Sequence, residues 1–187
     1  MECPDQDLVA RAQAGDREAF AELVRRYQAR IYNLAYRLLQ QREEAQDAAQ
    51  EVFLRAYRAL NRYRPEQSFA SWLHAIANNY CVDVVRRRRR RPLSVSGPAG
   101  QDDPLPLEIP DHAANPEKLF ASGEIQRAIE AAVASLPYKY RVVTVLRHMQ
   151  GLSYQEISTI TGQPEGTVKA QIFRARRLLR EKLRDVG

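Results

Sequence analysis

From Asp16 onward, apolar side chains recur at steps of three and four: Phe20, Leu23, Val24, Tyr27, Ile31, Leu34, Ala35 and Leu38. That spacing turns one face of a long helix toward a core, and Asp16 has the side chain to cap its first turn. A shorter helix is expected before it over 7–14, stopped by Gly15. Ala45, Ala48, Ala49, Val52, Ala56 and Leu60 outline a third helix over about 43–60. Phe69, Trp72, Leu73, Ile76, Ala77, Tyr80 and Val84 outline a fourth, running from Ser68 into a tract of arginines. No stretch alternates with period two over a useful length, so no sheet is expected.

The pattern then stops. Pro98, Pro104, Pro106 and Pro110, with Gly97 and Gly100, break any helix between the fourth segment and Asn115. Helical signals resume at Asn115, Pro116 and Glu117, which place a cap, a proline and an acid in a first turn. One helix is expected to end near Ser135, before Pro137, and another to span about 138–149. Ser153 and Glu156 then form a capping-box pattern ahead of a short helix to Thr161. Gly162 turns the chain into a final helix over about 165–183. The expected fold is all-α: a helical domain over 1–92, an extended acidic linker over 93–115, and a second helical domain over 116–187 that contains a helix-turn-helix.

Charge sharpens this division. Residues 1–92 carry 17 Lys and Arg against 12 Asp and Glu, and residues 118–187 carry 12 against 6. Residues 93–117 carry five acids and no base, so two basic blocks flank an acidic strip within a net charge of +6. A basic excess of this kind favours an anionic partner such as nucleic acid. The first residues have neither a basic nor an apolar signal region, and no apolar run approaches the roughly 20 residues needed to span a bilayer. A cytoplasmic protein with no membrane insertion is expected. Two cysteines, Cys3 and Cys81, make no disulfide framework, and three histidines make no metal cluster.

The helix-turn-helix is the sharpest chemical signal. Ile157, Ile160, Val168 and Ile172 are spaced to pack its two helices together. Lys169, Arg174, Arg176, Arg177 and Arg180 are left to point outward, and Thr167 with Lys169 at the helix start suits a phosphate. An ordinary helical hairpin with a solvated basic face has the same pattern. The second signal is the tract of six arginines from Arg86 to Arg91, which either neutralises phosphates or is a solvated charge run. Upstream lie Tyr63, Phe69, Trp72, Asn78, Asn79 and Tyr80. Rings and amides beside a basic tract suit unstacked bases, although Phe69 and Trp72 at helical spacing equally suit a core.

These residues resemble a known family. Asp47-Ala48-Ala49-Gln50-Glu51-Val52-Phe53-Leu54-Arg55-Ala56-Tyr57-Arg58-Ala59-Leu60 is similar to the polymerase-binding helix of extracytoplasmic-function sigma factors. Phe69-Ala70-Ser71-Trp72-Leu73-His74-Ala75-Ile76-Ala77-Asn78-Asn79 resembles their −10-reading segment. Leu136-Pro137, Gly151-Leu152-Ser153-Tyr154-Gln155-Glu156-Ile157 and Glu165-Gly166-Thr167-Val168-Lys169 resemble their −35-reading domain. The resemblance covers about residues 6–92 and 116–187, in the family's order.

It implies a subunit that binds core RNA polymerase, through its largest and second-largest subunits, and directs initiation at promoters. Asp47, Gln50, Glu51 and Phe53 match the polymerase-docking surface. Arg64, Ser68, Phe69, Asn78, Asn79, Arg86, Arg87 and Arg88 match the region that takes the melted −10 strand, with the loop 64–68 forming a pocket for a flipped base and Asn79 helping to hold it. Thr167, Lys169, Ala170, Gln171, Phe173, Arg174 and Arg177 match the face that meets the −35 duplex. Family members often have a small polar residue where Ala170 stands and arginine where Gln171 stands; glutamine can pair with adenine, whereas arginine favours guanine. Ala75 likewise replaces a frequent basic residue near the −10 segment. The implied partners are core polymerase, double- and single-stranded promoter DNA and an anti-sigma factor; no cofactor is implied.

Three other classes compete, one of them a passive RNA-binding or architectural protein, which predicts weak sequence preference and no promoter-dependent initiation. A helix-turn-helix regulator acting without polymerase accounts for residues 136–187 but leaves residues 64–91 and the docking helix unexplained. An enzyme would need a catalytic signature, and the sequence contains no P-loop, His-Glu-x-x-His or Gly-x-Ser-x-Gly.

Overall fold

The computed structural model describes residues 3–90 and 116–184, and these contain helices and turns with no strand. The expected acidic linker lies outside the described residues. The N-terminal half comprises α1 (Asp5–Gln13), α2 (Arg17–Leu39), α3 (Arg42–Ala59), a 3-10 turn (Leu60–Arg62) and α4 (Phe69–Arg90). The C-terminal half comprises α5 (Pro116–Ala134), α6 (Tyr138–Thr144), a π-helical turn (Val145–Met149), α7 (Tyr154–Thr161) and α8 (Glu165–Lys182).

Local chemistry sets the ends of these helices. The Asp16 side chain accepts the backbone N–H groups of Glu18 and Ala19 and so starts α2. Gly15, at φ +99°, ends α1 one residue earlier, where a side chain would be strained. At the far end of α2, Gln40 adopts φ +60° with its own N–H bonded to the Tyr36 carbonyl. The helix expected over 138–149 is α-helical only to Thr144 and then widens into the π turn.

α2 is the central rod of the first half. Its buried residues Leu23, Tyr27, Ile31, Leu34 and Leu38 follow the predicted stripe, and α1, α3 and α4 pack around it. Tyr27 anchors α1 by bonding Asp5 through its hydroxyl, and Arg26 pairs with the same carboxylate at 3.0 Å. Burial and Asp5 raise the Tyr27 phenol to about 12.

The two halves are docked. α4 lies against α7, α2 touches α6 and the π turn, and the buried apolar residues of both halves form one cluster. Arg141 reaches across to the Leu38 carbonyl at 3.1 Å, and Gln40 reaches back to the Ala134 carbonyl at 2.7 Å. Arg37 and Glu130 add an ion pair at 3.3 Å.

Candidate nucleic-acid interface

The loop before α4 is held by its own polar groups. Ser68 caps the helix: its hydroxyl accepts the Ser71 N–H at 3.1 Å and donates to the Ser71 hydroxyl at 2.9 Å. Tyr63 closes the loop by donating its hydroxyl to the Gln67 carbonyl at 2.7 Å. Phe69 sits inside a ring cluster, with centroids 5.5 Å from Tyr27, 5.9 Å from Tyr63 and 5.7 Å from Trp72. Phe69 is only 3% exposed. Of the two roles open to it, packing is the one seen, and the loop residues Arg64 and Ser68 are the ones left facing water.

Along α4 the two asparagines part company. Asn79 is exposed, whereas Asn78 is buried and its Oδ1 has no hydrogen-bond partner. The arginine tract also divides. Arg86 is exposed, Arg87 lies over the Tyr80 ring at 6.0 Å, and Arg55 lies over the same ring at 4.8 Å. Arg88 is turned inward: its Nε donates to Glu44 at 3.0 Å and its Nη1 to the Leu39 carbonyl at 3.1 Å. Arg88 thus ties α4 to the α2–α3 corner in this arrangement.

The helix-turn-helix follows from three devices. Ser153 and Glu156 form a reciprocal capping box at the start of α7. Gly162, at φ +66°, ends α7 in the left-handed region. Ser158 then closes the turn by donating its hydroxyl to the Gln163 carbonyl at 2.6 Å. Val168, Ile172 and Ala175 of α8 are buried, as are Ile157 and Ile160 of α7, which matches the expected packing.

The outward face of α8 is mixed. Thr167, Ala170 and Phe173 face water, with Phe173 72% exposed. Leaving a phenylalanine ring in water forgoes about 2 kcal/mol of burial, so this face has a large apolar group available to a partner. Lys169 is paired with Glu165 at 2.6 Å and lies 5.5 Å from the Tyr154 ring centre. Arg177 is paired with Glu181 at 3.4 Å, both largely exposed. The Arg174 guanidinium lies beside the Tyr140 hydroxyl and lowers its pKa. Gln171 is folded back: its Nε2 donates to the Gln163 side-chain oxygen at 2.7 Å, and its own Oε1 is buried without a partner.

A second surface is apolar. Phe20, Val24, Ala49, Gln50, Phe53, Leu54 and Tyr57 line an open groove of about 520 Å³ between α2 and α3. Asp47 and Gln50 are exposed beside it, and Glu51 is paired with Arg55 at 2.8 Å, which holds its carboxyl below the usual range. Phe53 is mostly buried and forms the floor. Leu54 and Tyr57, at 52% and 48% exposed, were not singled out in the sequence. Their signal was present: both are apolar residues off the α3 core stripe.

The surface along the seam was also not foreseen. Ser71 and His74 are buried on α4 because the second half covers them. Ser71 donates its hydroxyl to Glu156 of α7 at 2.7 Å. His74 bonds the Ala70 carbonyl through Nδ1 at 2.6 Å, and its Nε2 lies 3.3 Å from the Gln150 side-chain oxygen. Burial lowers the His74 pKa. Burial raises the Cys81 thiol to about 12, which leaves it unreactive. Among the described residues no three His, Cys, Asp or Glu side chains converge on a metal-sized site, and no helix is long and apolar enough to cross a membrane.

Comparison with known proteins finds matches for both halves of the chain. Residues 23–91 match the family described as Sigma-70 region 2, and residues 126–179 match Sigma-70, region 4. The chain is 39% identical over 183 residues to the RNA polymerase sigma-H factor of Pseudomonas aeruginosa, covering 96% of this chain and 93% of that one. It is 36% identical over 187 residues to the ECF RNA polymerase sigma factor SigW of Bacillus subtilis, covering all of both. Among solved structures, CnrH in complex with the cytosolic domain of CnrY superposes with a TM-score of 0.70 at 25% identity, covering 98% of this chain and 99% of that one.

Proposed function

The chain belongs to the extracytoplasmic-function sigma factors of the sigma-70 family, and on that premise we propose how its residues divide the work of initiation. As a sigma factor it binds core RNA polymerase and directs transcription from specific promoters. Its family is one of DNA-binding regulators, and we assign it no catalytic role and a place in the cytoplasm beside polymerase.

Residues 1–92 dock on polymerase and take the melted −10 strand; residues 116–187 read the −35 duplex; residues 93–115 join them. The polymerase surface is the groove of α2 and α3, with Leu54 and Tyr57 as apolar contacts and Asp47, Gln50 and Glu51 at its rim. The −10 strand is taken by Arg64, Ser68 and Asn79, with Arg86 and Arg87 on phosphates. Phe69 and Asn78 support that site from beneath. The −35 face consists of Thr167, Lys169, Ala170, Gln171, Phe173 and Arg174, with Arg177 on the backbone. An anti-sigma factor is the expected regulator; the similar CnrH is solved in complex with the cytosolic domain of CnrY.

One observation carries this reading over a regulator that acts alone. The same chain that presents the helix-turn-helix also leaves an apolar groove on α3 uncovered, flanked by exposed Asp47 and Gln50. A self-sufficient regulator has no use for that groove. Run-off transcription with core polymerase on a promoter library tests it. Promoter-specific transcripts that depend on this chain support the reading; tight operator binding without any transcript sinks it.

A further inference from the structure

Gln163 is not part of the recognition helix, yet its side chain is bonded to one that is. It stands in the turn between α7 and α8, after Gly162 and before Pro164. Its backbone is pinned twice: the carbonyl accepts the Ser158 hydroxyl at 2.6 Å, and the N–H reaches the Ser158 carbonyl at 3.2 Å. From that fixed point its side-chain oxygen accepts the Gln171 amide N–H at 2.7 Å, across eight residues.

The bond matters because of what Gln171 has left. A primary amide carries two N–H donors and one carbonyl acceptor. Reading adenine uses one of each, the carbonyl toward the exocyclic amine and an N–H toward the ring nitrogen. In Gln171 one N–H is committed to Gln163, and the carbonyl is buried and unpaired. A buried acceptor without a donor is costly, so this amide is under pressure to turn toward any donor that a base edge brings. The pivot for that turn is the bond to Gln163.

We propose that Gln163 is a positioning residue for −35 recognition: it holds the Gln171 amide nitrogen and thereby sets which edge of that amide meets the base. This rests on Gln171 reading a base. With an acceptor at position 163, the nitrogen stays fixed and the carbonyl swings to the groove, favouring bases that present a donor. With a donor at 163, the carbonyl is held instead and only N–H groups remain, favouring guanine O6 or thymine O4.

The test is selection of −35 sequences by full holoenzyme bearing Gln163→Ala, Gln163→Glu, Gln163→Lys, Gln171→Ala, or Gln163→Ala with Gln171→Ala. Gln163→Ala should cut the preference for the selected base at one position by roughly five-fold or more. Gln163→Glu, which keeps the acceptor, should restore that base even if its charge lowers total binding, and Gln163→Lys should move the preference toward acceptor-bearing bases. In the Gln171→Ala background, Gln163→Ala should change nothing further. Even weakening at all positions, or the same base shift with and without Gln171, overturns the proposal alone. If Gln171→Ala leaves the selected bases unchanged, Gln171 is not a reader and the assignment beneath the proposal falls with it.

Discussion

Ser71 and Glu156 stand 85 residues apart in sequence and share a hydrogen bond of 2.7 Å. The second oxygen of Glu156 accepts the backbone N–H and the hydroxyl of Ser153, both at 2.8 Å. One carboxylate therefore caps α7, the first helix of the helix-turn-helix, and fastens that helix to α4. These bonds hold the Glu156 carboxyl below its usual range, the Ser153 backbone N–H contributing most. Fastened in this way, α7 covers the flank of α4 that carries Ser71 and His74.

Removing one side of that bond should separate docking from folding. Ser71→Ala should loosen the seam by about 1 kcal/mol and leave α7 intact, since the capping box keeps its Ser153 bonds. Distance measurements between labels on α3 and α8 should broaden while helix content stays constant. Glu156→Ala should disturb both readouts. Unchanged distances in Ser71→Ala would show that the seam is held elsewhere.

Acid should open the same seam through His74. Its ring is buried between α4 and the π turn, with Ala70 and Gln150 as partners and Arg30 and Glu156 as the charged groups facing it. Burial depresses its pKa, so the docked form holds the ring neutral. The docking contribution is complete above the ordinary value of 6.5 and is lost as pH falls below it. Glu156, also depressed, acts in a lower window, below its ordinary 4.5. Titration from pH 7.5 to about 5.5 should widen the label distances, and His74→Gln should remove the dependence. A wild-type profile retained by His74→Gln would assign the effect to another group, such as His148.

The α3 groove should matter to polymerase and not to stability. Leu54 is half exposed, so Leu54→Glu should change stability by no more than about 0.5 kcal/mol. Its affinity for core polymerase should fall by roughly ten-fold or more, as for an apolar contact at the centre of an interface. Melting temperature and a core-binding assay, run on the same preparation, decide the matter. Loss of both together would make Leu54 a structural residue.

Asn79→Ala should impair promoter opening with little effect on core binding or on folding. Its side chain is exposed, so its removal leaves no buried group unpaired. The defect should shrink on a promoter melted in advance, because the cost of unstacking a base, a few kcal/mol, has then been removed. Normal open-complex formation on duplex DNA would take Asn79 out of the site.

Much of this was legible along the chain. Asp16 and Gly15 marked a helix boundary, and Ser153, Glu156 and Gly162 marked the helix-turn-helix, because caps and left-handed turns are local chemistry. The stripes of α2 and α8 were equally plain. What a stripe cannot state is which helix will cover it. Asn78 therefore read as a polar residue near a basic tract, when it is buried, and Ser71 and His74 passed as part of the −10-like segment, when they bond to the second half. The inward turn of Arg88, the π turn after Thr144 and the bond from Gln163 to Gln171 depend on where distant segments meet. Leu54 and Tyr57 were hidden for the opposite reason: a lone apolar residue off the stripe looks like surface scatter until a groove is seen around it.

The polar atoms left unpaired in the interior bear on how the chain changes shape. Asn78 Oδ1, the Tyr138 hydroxyl and Arg141 Nε are all buried without partners. Asn78 lies one turn beyond His74 on α4, and Arg141 is itself a bridge between the halves. A buried donor or acceptor without a partner costs about 1–3 kcal/mol, so whichever of these groups solvent reaches when the halves part offsets some of the apolar contact that holds them together. On that account a dehydrating osmolyte should favour the docked form.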